Sequence, residues 1–298
     1  MKKILALFIL FFVTYCEDFI NTEVNEITYA FVNGQNVSDL DKKKTIQVLN
    51  NRLSKYTSQV DVFLNSNNEV VVKLPSNIDM KRVNTIVENE GKLDFWLCFR
   101  RDELFSLFAQ KVDSEEEIDF SSYFKNYQPY GGLFNLFVND TTKLNTFLTK
   151  VKQKDLLTDE LKNVEFLYSL PENNEVVVYA VDYNITGKSK VNESHIIEAR
   201  QDFDAINRPT VSLKMNEEGA VKWAEITGTA FDGQRQIAIT LNDNVYSAPG
   251  VSSGSITGGI SQISGDFNLE ETKKLVAILG GQARIPKLKF VKIKKIEH

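Results

Sequence analysis

Imidazole and thiol are almost missing from this chain: its 298 residues include two histidines and two cysteines. Two cysteines cannot build a disulfide framework or a cysteine zinc site. His195 and His298 leave little for imidazole-based metal binding or acid–base chemistry. Positive charge is in deficit too, with a formal net charge of -5. Nucleic-acid binders usually carry a basic face, so that class is disfavoured. Beyond the N-terminus no apolar stretch reaches the length of about 18 residues that suggests a membrane span. What is present is 42% hydrophobic and 25% charged residues, over a length that suits about two domains with a sizeable core.

Lys2 and Lys3 precede an unbroken apolar run from Ile4 to Val13. A spanning helix needs about 20 such residues, so this run has the dimensions of a secretory signal. Residues 1–16 are expected to export the chain to the cell envelope. Cys16 stands where a lipoprotein cysteine would stand, but the residue before it is Tyr15, where such signals carry a small one. A lipid tether at Cys16 and plain secretion both stay open. A Cys16–Cys98 bridge is conceivable without support, and Cys98, inside apolar Leu93–Phe99, reads as a buried, inert thiol.

The first module reads β-α-β-β-α-β. A strand over Ile27–Val32 is followed by a helix that Ser38 and Asp41 would cap, with Ile46, Leu49, Leu53 and Tyr56 on one stripe. Val60–Leu64 and Val70–Leu74 form a hairpin. Asp79 opens a second helix, with Met80, Val83, Ile86 and Val87 inward, and Leu93–Phe99 returns as the last strand. That order is the split arrangement of a ferredoxin-like fold. From about residue 101 to 163 strand character fades into a helical insertion, with an amphipathic stripe of Leu144, Phe147, Leu148 and Val151. Glu115–Glu117 reads as a solvated face, and Tyr123–Tyr130 as local packing or a contact surface.

Strands resume over Val164–Leu170 and Glu175–Val181. Gly187-Lys188-Ser189 lacks the upstream glycine of a phosphate loop, because that position is Asp182. A strand over Arg208–Met215 leads to a helix capped by Asn216, with Glu217 and Glu218 in its first turn. Further strands are expected over Arg235–Leu241 and, rich in glycine and serine, over Val251–Phe267.

The runs "RPTVSLKMNEEGAVKWAEIT" and "GQRQIAITLNDNVYSAPGVSSGSITGGISQISGDFNLEETKKLVAILGGQARIP" resemble the first periplasmic domain of the SecD protein-export family. The likeness is strong over residues 185–286 and weaker over 24–99. It implies an α+β chain in which a ferredoxin-like base (20–100 and 268–298) is interrupted by an inserted α+β head (101–267). The chain would return to the base through a helix near Leu269–Leu279. The resemblance implies hinges, placed at Phe99-Arg100 and Phe267-Asn268. It also implies a polypeptide-contact surface, placed at Tyr246, Ser247, Pro249, Ile256, Gly258 and Gly259. The family continues into a membrane bundle that uses protons. None is legible here after "KLKFVKIKKIEH", so the expectation is the periplasmic part without the motor.

The leading functional expectation is a non-catalytic envelope protein, periplasmic or lipid-anchored. It would bind exported polypeptide chains or Sec translocase components, without cofactor, metal or nucleic acid. A surface or structural lipoprotein that reuses the fold is the alternative. An enzyme is the third reading, although none of the 40 Asp and Glu falls in a recognisable catalytic context. His195 reads as a satisfied histidine rather than a base. The basic tail from Lys287 to Lys295 reads as the last strand of the base, with a membrane-surface contact as the lesser reading.

Overall fold

The computed structural model describes residues 23–32, 37–110, 132–265, 267–280 and 284–296. In chain order the elements are β1 (Val24–Phe31), α1 (Asp39–Leu53), β2 (Asp61–Leu64), β3 (Val70–Pro75), α2 (Met80–Glu88), β4 (Leu93–Leu97), α3 (Phe105–Phe108), β5 (Phe134–Phe137), α4 (Thr141–Gln153), β6 (Val164–Ser169), β7 (Glu175–Asp182), β8 (Val191–Asn192), β9 (Ile196–Phe203), β10 (Pro209–Met215), α5 (Glu217–Asp232), β11 (Ile237–Leu241), β12 (Asn244–Ser247), β13 (Ile260–Ile263), α6 (Leu269–Leu279) and β14 (Leu288–Ile296).

The first sheet is antiparallel throughout, in the order β14-β1-β3-β2. Its helices begin where local chemistry starts them. The Ser38 hydroxyl accepts the Asp41 N–H at 3.1 Å and the Asp79 carboxylate accepts that of Lys81 at 2.9 Å. Each satisfies an N–H that has no partner inside its helix. Leu49, Leu53, Ile86 and Val87 close on Ile27, Tyr29, Val70 and Val72 to form one core. Arg52 is fully buried beside it and donates to the carbonyls of Asn89 (2.5 Å) and Glu90 (3.2 Å) at the end of α2.

The β-α-β-β-α-β order therefore closes, but with a different last strand. Leu93–Leu97, expected to complete this sheet, pairs instead with β11 in a second one. β14 takes the place beside β1, from Val24 opposite Ile296 to Phe31 opposite Leu288. The reason is side-chain chemistry. Apart from Asp94, β4 is apolar on both faces and suits the interior of a covered sheet, whereas lysine-rich β14 suits an edge.

The larger lobe holds a seven-stranded sheet, β5-β7-β6-β12-β11-β4-β8, and a three-stranded one, β13-β10-β9. Phe95, Ile237 and Ile239 of the first sheet face Val211 and Leu213 of the second, together with Trp223 and Ile226 of α5 and Leu275 and Ile278 of α6. α6 thus has its apolar face in this lobe's core, not in the base to which it was expected to lead. A second cluster joins α4 to β5, β6 and β7. A third includes Trp96 and Cys98. Cys98 is buried and its thiol is free.

Two local expectations need correction, and one strand falls where no element is expected. Phe134–Phe137 is a strand inside the stretch read as helical, because its alternate residues Phe134 and Leu136 bury against β7. Ile196–Phe203 is also a strand, which the polar residues among its apolar ones hide. The glycine-rich stretch from Val251 to Phe267 is a strand only at Ile260–Ile263. Cys16, Glu115–Glu117 and Tyr123–Tyr130 lie outside the described residues.

Candidate functional site

A groove of about 740 Å³ lies between α6 and the β5–β7 end of the large sheet. Two local devices build it. The β6–β7 turn carries Asn173 and Asn174 at φ of 50° and 67°, a left-handed geometry that asparagine tolerates better than most residues. That tight reversal brings Glu172 and Glu175 to one rim. The second device is the start of α6. The Asn268 side chain accepts the N–H groups of Glu270 and Glu271, and the Glu271 carboxylate accepts that of Asn268 at 2.9 Å. This capping box fixes the first turn and sets Glu271, Lys274 and Leu275 along the opposite wall.

Between the walls β12 parts from its neighbour. It pairs with β11 out to Ser247, but with β6 only at Asn244 and Val245. Beyond Val245 its groove-side edge has no ladder partner among the described residues. The Ser247 hydroxyl donates to the Ser264 carbonyl at 2.5 Å and ties the strand down there. The lining is mixed: Leu170, Val176, Val177, Val245, Tyr246, Phe267 and Leu275 supply its apolar half, and Asn135, Ser169 and Asn173 stand among the polar residues. Burial, and then the Glu271 charge, push the Tyr246 phenol upward, so it stays protonated and can donate. The lining carries three carboxylates, on Glu172, Glu175 and Glu271, and one ammonium, on Lys274. Such a groove can bury apolar side chains of an extended ligand beside a strand edge, and it favours positive over negative flanks.

The structure divides the expected contact surface. Tyr246 lines the groove, and Ser247 lies beside it on β12. The Pro249 carbonyl is occupied by the Ile237 N–H at 3.0 Å. Ile256, Gly258 and Gly259 lie elsewhere, along α5. The Ile256 N–H reaches the Thr227 hydroxyl at 2.9 Å, and a side chain at Gly259 would meet Ala220 at 2.7 Å. Gly258 is exposed, at φ 83°.

The expected hinges also separate. Phe99 is buried in the α4 cluster, its N–H bonded to the Ala180 carbonyl at 2.8 Å, and Arg100 holds the Gly233 carbonyl at 2.8 Å. Both lie within the larger lobe and not between bodies. Phe267 and Asn268 start α6, and Phe267 lines the groove. The chain passes between lobes at Glu90 and Arg284–Ile285 instead. There the Arg284 guanidinium meets Glu90 at 2.8 Å and the Ile285 N–H reaches the Glu90 carbonyl at 2.9 Å. A second tie joins Arg82 of α2 to Glu270 of α6.

His195 is buried, and its Nδ1 accepts the Asn192 N–H at 3.1 Å. Ser189, from the rejected phosphate-loop triplet, is also buried and donates to Asp94 at 2.5 Å. Sequence reasoning missed Val176, Val177, Glu271, Lys274 and Leu275 as groove residues. The strand and helix holding them were legible, but nothing local says that those two elements face each other.

Residues 166–283 match the family described as SecDF, P1 head subdomain. The chain is 33% identical over 145 residues to the protein translocase subunit SecD of Rhodothermus marinus, covering 47% of this chain and 22% of that protein. It is 38% identical over 104 residues to SecD of Calditerrivibrio nitroreducens, covering 35% and 20% respectively. The matches thus span about a fifth of the length of these relatives. Among solved structures, SecDF in its super-membrane-facing form is similar with TM-score 0.57 and 20% identity, over 92% of this chain and 30% of that one. A second, of a membrane component SecDF that enhances protein export, is similar with TM-score 0.55 and 21% identity. That match covers 91% of this chain and all of the other. The fold is shared with SecDF, and the chain resembles the SecD periplasmic domain.

Proposed function

We propose, for a chain whose residues 166–283 match the SecDF P1 head subdomain, a role in protein export in which the groove beside α6 holds an extended segment of a passing polypeptide. The observation that supports this reading is the combination of apolar residues along the groove with the unpaired edge of β12. Backbone hydrogen bonds along such an edge accept many sequences, while the lining buries whichever apolar side chains arrive. The acidic rim favours segments that carry lysine or arginine. Residues 1–16 would deliver the chain to the envelope, where a Sec translocase component is the partner and where Cys16, if acylated, would supply a tether.

In-cell photocrosslinking tests the reading. A photoreactive phenylalanine in place of Tyr246 or Phe267 is expected to capture exported chains or translocase subunits during secretion. The same probe in place of exposed Lys81 on α2 serves as the control. Equal capture from all three positions, or none from the groove, rejects the groove as the contact.

A further inference from the structure

β14 reads LKFVKIKKI, and with Lys287 before it the strand brings five lysines and no acidic residue into a chain of net charge -5. Register places three of them together. Lys289 stands opposite Ala30, Lys292 opposite Thr28 and Lys294 opposite Glu26. Side chains on paired positions share a face. That face is the one turned away from α1 and α2, because Ile27 and Tyr29, between those positions, point into the helix-covered core. Lys73 of β3 shares it as well, opposite Glu26 and paired with it at 3.3 Å. Among the described residues no carboxylate lies in ion-pair range of Lys289, Lys292 or Lys294, whereas Lys295 reaches Glu23 at 3.4 Å. Phe290, Val291 and Ile293 of the same strand are exposed by 42%, 42% and 45%.

We propose that this sheet face and the β14 edge dock on an anionic lipid bilayer surface. A broad sheet face bearing unpaired ammonium groups matches a field of headgroup charges, each lysine acting as a hydrated point charge on a flexible stem. The β14 stretch has no arginine, whose planar fork would favour bidentate recognition of discrete carboxylates. Phe290 and Ile293, opposite Tyr29 and Ile27, lie on the helix side of the strand and Val291 at its bulge, so the lysine face meets the bilayer by charge and the apolar residues flank it at the β14 edge.

The test is partitioning of the full chain onto phosphatidylcholine vesicles with and without phosphatidylglycerol. The apolar run Ile4–Val13 adds to both, so the ratio isolates the charge term. Phosphatidylglycerol is expected to raise partitioning, and near 1 M salt, where the Debye length is about 3 Å, the preference disappears. The triple variant Lys289→Gln, Lys292→Gln, Lys294→Gln is expected to lose roughly a hundredfold of that preference, about fivefold per lysine. The corresponding arginine triple variant keeps it, and thermal unfolding of all three proteins confirms that they fold. No preference in the wild type, or an undiminished one in the glutamine variant, overturns the proposal. Binding of polyglutamate through the same lysines without a lipid preference also overturns it, in favour of an acidic protein partner.

Discussion

At the scale of single residues, burial in the larger lobe opposes the charge of two carboxylates, those of Asp94 and Glu193. Asp94 is buried on β4, and burial raises its pKa above the ordinary carboxylate value. The Ser189 hydrogen bond and the Lys92 ammonium, 3.9 Å away, offset part of that shift. Because the folded-state value is raised, this group's stabilising contribution is fully present below the unfolded pKa and is lost as pH rises through the folded one. Asp94→Asn keeps an acceptor for Ser189 and removes the charge. The variant is expected to match the wild type near pH 4 and to melt higher near pH 7, in about the range where model carboxylates have ionised. Calorimetry at both pH values checks this, and a gap that widens on acidification would contradict it. Cys98 shows the same cause acting on a thiol, pushed up to about 12 by full burial, which makes it inert.

Among elements, α5 is the one whose position depends most on what its first turn lacks. A Cβ at Gly219 would stand 2.6 Å from the His195 Cβ, and one at Gly259 would stand 2.7 Å from that of Ala220. The Glu-Gly-Ala helix start and the Gly-Gly turn are thus two halves of one close approach. Gly259 also has φ of 68°, in the left-handed region that penalises side chains. Gly259→Ala should destabilise by about 2–4 kcal/mol, the left-handed cost plus overpacking. Gly258→Ala, at φ 83° but with open space around it, should cost only about 1–2 kcal/mol. Urea midpoints of the pair isolate the close approach, and equal losses would refute it. Helix starts of this kind were legible in the sequence, because Ser38, Asp79 and Asn216 cap through bonds to residues two or three positions on. Strand partners were not, since a strand's hydrogen bonds go to residues far away in the chain.

Across the whole molecule, the first lobe is completed by chain that returns after the larger one. Ile285 and Leu288 are buried in the first lobe's core although some 200 positions separate them from Val87 in sequence. Leu288→Ala should therefore cost about 2–5 kcal/mol, as other buried leucine truncations do. Because the cores are separate clusters, the loss should be local. Amide exchange is expected to quicken in β1 and β3 and to stay unchanged in β10 and β11. Acceleration in all four strands would show that the lobes unfold as one. The groove and the lysine face lie on different lobes, so a defect in one leaves the other open to test.

The caps, the helix stripes, the strand character of the basic tail and the resemblance over residues 185–286 are legible without any structure. Each rests on short-range periodicity, on local hydrogen bonding, or on motifs read residue by residue. That Leu93–Leu97 joins β11 while Leu288–Ile296 joins β1, and that Val176 and Leu275 face one groove, emerges from long-range packing. Both segments have strand-forming side chains. Which of them is covered on both faces and which lies at an edge depends on the layers that the rest of the chain stacks around them.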